Sequence, residues 1–331
     1  WMRMAKGKQA TVDDAAALLR QAGSVLLLCH QKPDGDTLGS GLALRLALCA
    51  LGKQVRIACP DGFPERYAFL YPEGFAPEKQ PEFDPELVVA ADVADPKLLG
   101  AVGVQWEGKI GLCIDHHPSN TQYAEWLLLD PDAASTTQIM AKVIPQMGVP
   151  LTREIALPLY TGLATDTGCF RYSNVTPAAL RLGADLIETG IDSFMVNKRM
   201  FETKSRRRVE LEQLVLGTLE YHYGGQFAIA VIASADAERT GVPEADMDGI
   251  PALPRQIEGV EIAATLKQKG PEQFRVSMRG SARFNVSEIC GRLGGGGHPR
   301  AAGCTLNGTL AAVKSRLVEV VAPDFERLGN G

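Results

Sequence analysis

Ser24-Val-Leu-Leu-Leu-Cys-His30-Gln-Lys-Pro-Asp34-Gly-Asp36-Thr-Leu-Gly39-Ser40 is the stretch from which the fold can be read. Ser24–Cys29 is a continuous apolar run, the pattern of a strand buried on both faces. It stops at His30, and Pro, Gly and two carboxylates form the connection that follows. Thr37–Leu51 then shows helical spacing, with Leu38, Leu42 and Leu46 on one face, and ends at Gly52. Strand, acidic loop and helix make the opening unit of a parallel α/β sheet.

The same texture continues outward from this stretch. Val55–Cys59, Leu87–Ala91 and Ile110–Ile114 are further short apolar runs. Helices are expected at Ser135–Met147, Thr152–Leu163 and Pro177–Thr189, with Ser135, Thr152 and Thr176 as N-caps. Apolar strands alternating with helices predict a Rossmann-like parallel sheet covered on both sides, residues 1–190. Residues 191–225 read as a helical linker. Its basic run, Lys204 with Arg206 to Arg208, is expected to be a solvated helix face. Residues 226–331 read as a smaller α/β domain, with strands at 227–233, 261–268 and 273–280 and a helix over Asn285–Leu293.

Composition narrows the functional classes. A chain of 331 residues suits two domains. Its net charge of -5 argues against a long duplex partner but leaves room for a short phosphorylated substrate held by local cations. No apolar run reaches the ~18 residues of a membrane helix, and nothing at the N-terminus reads as a signal peptide. The seven cysteines form no Cys-x-x-Cys pair. Cys29, Cys59 and Cys113 lie in strand-like runs, so buried reduced thiols in a cytoplasmic protein are expected.

Four of the five histidines fall in three short motifs: His30 above, Asp115-His116-His117, and Gly294-Gly-Gly296-Gly297-His298-Pro-Arg300. His30 ends the first strand, with Asp34 and Asp36 just beyond it. Asp92 ends Leu87–Ala91, and Asp115 and His116 end the next run. The carboxyl ends of parallel strands form one rim, which gathers these residues. Asp166, just beyond a helix, would add another carboxylate. Singly, each piece has a plain alternative: Asp-Gly-Asp and Thr-Asp-Thr-Gly are common turns, and Asp92 suits a strand end. Gathered without cations, the carboxylates would repel one another. Two hard divalent ions remove that cost. Mixed imidazole and carboxylate donors suit manganese, with magnesium, cobalt or zinc as alternatives. Such a pair would activate water and stabilise a phosphorus centre during hydrolysis. The glycine run would let backbone amides of Gly296 and Gly297 approach an anion as a nest, aided by His298 and arginines.

At these residues the chain resembles the DHH phosphoesterase superfamily, in its DHH–DHHA1 branch. His30-x-x-Pro-Asp34-Gly-Asp36-x-x-Gly39-Ser40, Asp92, Asp115-His116-His117 and Gly162–Tyr172 (GLATDTGCFRY) match its four N-terminal motifs. Arg279-Gly-Ser-Ala-Arg283-Phe-Asn285-Val-Ser287 and the Gly-Gly-Gly-Gly-His stretch resemble the DHHA1 signature. Gln31-Lys32 stands where Asn before the proline is common, and Val93-Ala94 where Thr or a small polar residue is common. The resemblance implies one metal on His30, Asp34 and Asp92, and a second on Asp36, Asp92, His116 and Asp166, with Asp92 bridging. It implies that Asp115 orients His116, that His117 faces the substrate phosphate, and that Ser40 and Gly39 line the phosphate site. Arg279, Arg283, Gly296, Gly297 and His298 would bind phosphate or the terminal nucleotide.

Two lobes without further domains resemble the branch that hydrolyses short single-stranded RNA and dinucleotides to 5'-mononucleotides and removes the 3'-phosphate of 3'-phosphoadenosine 5'-phosphate (pAp). Alternatives are a soluble phosphodiesterase for linear or cyclic dinucleotides (pApA or cyclic-di-AMP), a RecJ-like exonuclease for single-stranded DNA and an inorganic pyrophosphatase. A binding protein with a decayed site is the non-enzymatic reading. Tyr172 and Phe284 are candidates for stacking on a base. A homodimer follows by analogy with the family.

Overall fold

The computed structural model describes residues 7–71, 75, 83–247 and 249–329, and the chain divides at Thr203/Lys204 into two compact units. The first holds β1 (Lys8–Gln9), α1 (Val12–Gln21), β2 (Ser24–Leu28), α2 (Gly35–Ala50), β3 (Gln54–Ala58), β4 (Leu87–Ala91) and α3 (Gly100–Gln105). It continues with β5 (Leu112–Asp115), β6 (Trp126–Leu129), α4 (Thr136–Gln146), α5 (Arg153–Asp166), α6 (Pro177–Glu188) and α7 (Ser193–Asn197). The strands form one sheet in the order β1-β6-β5-β4-β2-β3, and every neighbouring pair is parallel.

The continuous apolar runs are explained by two cores. Along β2, Val25 and Leu27 point into one apolar cluster, and Leu26 and Leu28 into another on the opposite face. Val89 and Ala91 of β4 alternate with Val88 and Ala90 in the same way. Successive strand side chains face opposite ways, so a sheet covered on both faces needs apolar residues at every position.

The second helix departs from the sequence reading in a way that matters to the site. It starts at Gly35, not Thr37, because Asp34 is its N-cap: Oδ1 accepts from the amides of Asp36 (3.0 Å) and Thr37 (3.2 Å). Asp36 is therefore in the first helical turn and not in the loop. Twelve of the sixteen residues of α2 are buried, so it packs on nearly every side, α5 included. Gly39 allows that approach, since a Cβ there would collide with the Pro158 carbonyl oxygen and lie 3.1 Å from Thr137 Cγ2.

Other expectations divide. Ser135 and Thr176 cap α4 and α6 through their side chains, whereas the Thr152 hydroxyl makes no capping bond to α5. Helix α5 extends through Asp166, which thus closes the helix instead of following it; the Thr167 amide still donates to Leu163 O at 3.1 Å.

The second unit contains α8 (Arg206–Leu216), β7 (Glu220–His222), β8 (Phe227–Ile232), α9 (Ser234–Thr240), β9 (Ile262–Gly270), β10 (Gln273–Gly280), α10 (Val286–Gly291), β11 (Gly296–His298), β12 (Ala301–Asn307) and α11 (Leu310–Gly329). Its sheet, ordered β11-β12-β10-β9-β8-β7, is mixed, with β8 and β9 parallel and the other pairs antiparallel. The basic run is not wholly a solvated face: Lys204 (2.7 Å) and Arg208 (2.9 Å) both bind the buried Glu212. All seven cysteines are free. Among the described residues no helix is long and apolar enough to cross a membrane.

Gly39→Ala is expected to cost about 1–3 kcal/mol, the usual penalty for overfilling a packed contact. Urea unfolding checks this, and an unchanged midpoint would show that α2 and α5 have slack at this crossing.

Candidate metal centre

Strand order puts Asp92 at the middle of the site. Because β4 lies between β2 and β5, the residue just past its end falls between His30, after β2, and His116, after β5. The Asp92 carboxylate reaches both ways: Oδ2 is 3.7 Å from His30 Nε2, and Oδ1 is 3.7 Å from His116 Nε2. Asp92 has φ 62°, a left-handed conformation that Asp tolerates better than most side chains. Its amide still donates to Ile114 O at 2.9 Å, so the turn comes just after the ladder ends.

The remaining carboxylates close in from the helices. Asp34 Oδ1 lies 3.7 Å from His30 Nε2. Asp166, at the end of α5, places Oδ2 3.3 Å from His116 Nε2, and Asp36 Oδ2 lies 3.9 Å from the same atom. Donor atoms of His30, Asp34 and Asp92 all lie within 4.8 Å of one another, as do those of Asp36, His116 and Asp166, and those of Asp92, His116 and His117.

Both imidazoles facing the carboxylates are held by main-chain carbonyls. His30 Nδ1 donates to Gln31 O (2.8 Å) and His116 Nδ1 to Ala133 O (3.2 Å). Each bond takes up the Nδ1–H and leaves Nε2 as the nitrogen that faces the cluster. The His116 Nε2 atom is buried and has no hydrogen-bond partner. A buried acceptor-type nitrogen among carboxylates is left unsatisfied by the protein alone. An oxygen- and nitrogen-seeking divalent ion fits this donor set, which contains no thiolate.

The role expected of Asp115 needs correction. Its carboxylate does not hold the His116 ring, which is tied to Ala133. Instead Oδ1 accepts from His117 Nδ1 (2.8 Å) and from the His116 amide (2.8 Å), and Oδ2 accepts from Asn120 Nδ2 (2.7 Å). The His117 ring turns back over the strand end, so the acid one step earlier serves it and not its neighbour.

Three supporting residues were not singled out from sequence. The Thr136 and Thr137 amides, at the start of α4, donate to the two oxygens of Asp36 at 2.6 and 2.8 Å. Thr136 Oγ1 donates to Asp92 Oδ1 at 2.9 Å. Asn120 completes the seat of Asp115. The sole sequence signal was the cap at Ser135, which marks a helix N-terminus and hence free amides.

Electrostatics reflect the crowding. Burial, then the charges of Asp92 and Asp34, push the Asp36 carboxyl well above its ordinary range despite the two amide bonds. Burial and the charges of Asp36, Asp92 and Asp34 do the same to Asp166. For His30, burial opposes protonation, but hydrogen bonds and charge from Asp34 and Asp92 prevail and raise it to about 11. For His117, burial is likewise outweighed, here by Asp115 and the nearby aspartates, giving about 9. Asp115 is held below its usual value, its burial overcome by His117 and Asn120.

Other expected residues lie elsewhere. Ser40 is fully buried in α2 and lines no open surface, and Gly39 is a packing contact. In the second unit the glycine run is not an open nest, since Gly296–His298 pairs as an edge strand with Ala301–Gly303. Gly296, Gly297 and His298 are exposed there. Arg279 is half-buried, bonding Met278 O at 3.0 Å, and borders a cleft shared with Gly296. Arg283 lies 3.6 Å from Glu261. Arg300 is tied to the carbonyls of Ser281 and Phe284. Phe284 is core, packed 4.8 Å from the Phe325 ring, whereas Tyr172 is 58% exposed.

Known families match both units. The model of the DHH family, N-terminal domain, matches residues 24–163, and that of the DHHA1 domain matches residues 224–322. The chain belongs to the DHH–DHHA1 family. It is 34% identical over 325 residues to the bifunctional oligoribonuclease and PAP phosphatase NrnA of Thermus thermophilus, covering 95% of this chain and 94% of that protein. The Bacillus subtilis protein of the same name is 24% identical over 294 residues, covering 86% and 89%. An exopolyphosphatase-related protein from Bacteroides fragilis shares the fold with a TM-score of 0.84 at 22% identity, covering 96% of this chain and 95% of that one. Thermus thermophilus RecJ, solved in complex with Mn2+, gives a TM-score of 0.54 at 15% identity over 94% of this chain and 55% of its own, a likeness of fold.

The pH dependence of stability follows from these shifts. Asp36, Asp166, His30 and His117 all have folded pKa values above their unfolded ones. Each contributes stability that is full below the unfolded pKa and lost as pH rises through the folded value. Asp115 acts oppositely, its contribution lost only as pH falls below the usual carboxylate range. In chelator, Tm is therefore expected to fall as pH rises from about 5 to 9, between the ordinary carboxylate and raised histidine values. Manganese should raise Tm more at the upper end. A chelated protein that gains stability across that interval would contradict the charge balance described here.

Proposed function

We propose that this protein is a manganese-dependent phosphoesterase that hydrolyses short oligoribonucleotides to 5'-mononucleotides and removes the 3'-phosphate of pAp. The observation that carries the reading is the position of Asp92, its two oxygens each 3.7 Å from an imidazole Nε2 held in the metal-binding tautomer. The names of the Thermus thermophilus and Bacillus subtilis relatives supply the substrate class.

In this reading His30, Asp34 and Asp92 hold one Mn2+, and Asp36, Asp92, His116 and Asp166 hold the other, with magnesium or cobalt able to replace manganese. Bound there, the ions would supply a water nucleophile at neutral pH and charge to stabilise the phosphorus transition state. Asp36 is oriented by the amides of Thr136 and Thr137, so its carboxylate is presented without rotamer freedom. Thr136 Oγ1 fixes one oxygen of Asp92. His117 donates Nδ1–H to Asp115 and leaves its other nitrogen for a substrate oxygen. Asp115 favours the protonated form of His117, from which the ring can donate to a phosphate oxygen or the leaving group. In the second unit, Arg279, with Gly296, Gly297 and His298, takes the terminal phosphate or nucleotide. Arg283, paired with Glu261, is a weaker contributor.

Asp92→Ala should abolish manganese-dependent release of phosphate from pAp and of mononucleotides from end-labelled RNAs. A wild-type protein that hydrolyses neither with manganese present would end this reading. Asp115→Asn removes the charge that holds the His117 proton. It should lower kcat by about 100-fold, the lower end for a positioned proton donor, and move the alkaline fall in rate to lower pH. A pH–rate profile reads both effects, and an unmoved alkaline limb would exclude His117 as the donor.

A further inference from the structure

Strand β10 presents two faces. Phe274, Val276 and Met278 point into the core of the second unit, while Arg275, Ser277 and Arg279 lie on the opposite face, part of which Pro251 and Ala252 border. A cleft of about 580 Å³ runs beside that row, bordered by the two arginines, Ser277, Gly296, Gly303 and Thr305. Its lining contains no carboxylate. That is notable in a chain with a net charge of -5, whose other cations on this unit are largely neutralised. Lys267 pairs with Glu244, Arg283 with Glu261, Arg292 with Asp324, and Lys314 with Glu220.

Arg275 differs from these. Among the described residues it makes no ion pair or side-chain hydrogen bond, and it stands directly across the strand pair from Lys267. Like charges opposite each other disfavour pairing in a sheet, and Glu244, which borders the adjoining hollow with Arg275, pairs with Lys267. Across the other pair its neighbour is Thr305, and the neighbour of Ser277 is Gly303. The small residues leave the floor of the cleft open, and hydroxyls stand along it. Arg279 lies four strand positions beyond Arg275, about 13 Å along the sheet.

We infer that Arg275 forms a second phosphate-binding position in this cleft, which engages an internal phosphate of substrates longer than a dinucleotide. The inference rests on the phosphoesterase reading for the identity of the anion. Arg279 would serve every substrate, and Arg275 would add grip as the chain lengthens, making it a determinant of length preference and not of chemistry.

The test compares the full-length wild type, Arg275→Gln and Arg275→Lys on pAp, a diribonucleotide and a tetraribonucleotide. Binding is read by fluorescence anisotropy in chelator, and hydrolysis is read with manganese. Arg275→Gln should weaken tetranucleotide binding and raise its KM several-fold, with kcat, pAp and the dinucleotide unchanged. It should also lower the slope of log Kd against log salt by about 0.7 for the tetranucleotide alone, the value for one phosphate contact on a single strand. Arg275→Lys, which keeps the charge, should restore that slope. An equal loss on all three ligands, or none on any, overturns the inference. A wild type that binds the tetranucleotide yet hydrolyses nothing overturns the catalytic reading instead, and the binding comparison still decides the role of Arg275.

Discussion

Mutual repulsion among Asp34, Asp36, Asp92 and Asp166 is the constraint around which the first unit is organised. Four carboxylates converge where three strands and two helices end, with Asp36 and Asp92 almost completely buried. Nothing in the hydrophobic core rewards that arrangement. The protein offsets it locally, through the amides at the start of α4, the hydroxyl of Thr136 and the imidazoles of His30 and His116. The offset is incomplete, as the raised values of Asp36 and Asp166 show. A site that stays electrostatically unfinished is one built around a positive charge from outside the chain.

The parallel sheet provides the convergence by a simple route. Every strand of the first unit runs the same way, so each strand end reaches the same rim. Helices α2 and α5 cross closely at Gly39, and Gly162 sits where a Cβ would lie 2.9 Å from Asp36 Oδ1. Packing and chemistry therefore share residues. The contact that brings the Asp166 helix against the Asp36 helix also sets how near their carboxylates come.

Much of this was legible in the sequence because its signals were local. Apolar runs ending in His30, Asp92 and Asp115 gave both the strands and the rim, and the motifs gave the family. What was hidden depended on partners far along the chain. The central place of Asp92 follows from β4 lying between β2 and β5, an order that no local pattern encodes. The assignment of Asp115 to His117 rests on ring orientation. Ser40 looked available at a helix start, but α2 is buried almost all round. The glycine run carries no strand-forming side chains, and its pairing comes from β12, whose alanines and glycine give an equally faint signal. The short strands β1 and β6 were missed for want of length, and α1 because its buried face is only Ala15, Ala16 and Leu19.

The rings of His30 and His116 lean on peptide oxygens, at Gln31 and Ala133, and not on side chains. A peptide oxygen is present whatever residue occupies the position, so mutation cannot delete these anchors without moving the backbone. The orientation of both imidazoles is thereby insulated from genetic drift at the positions that secure it, leaving those side chains free to vary for other purposes.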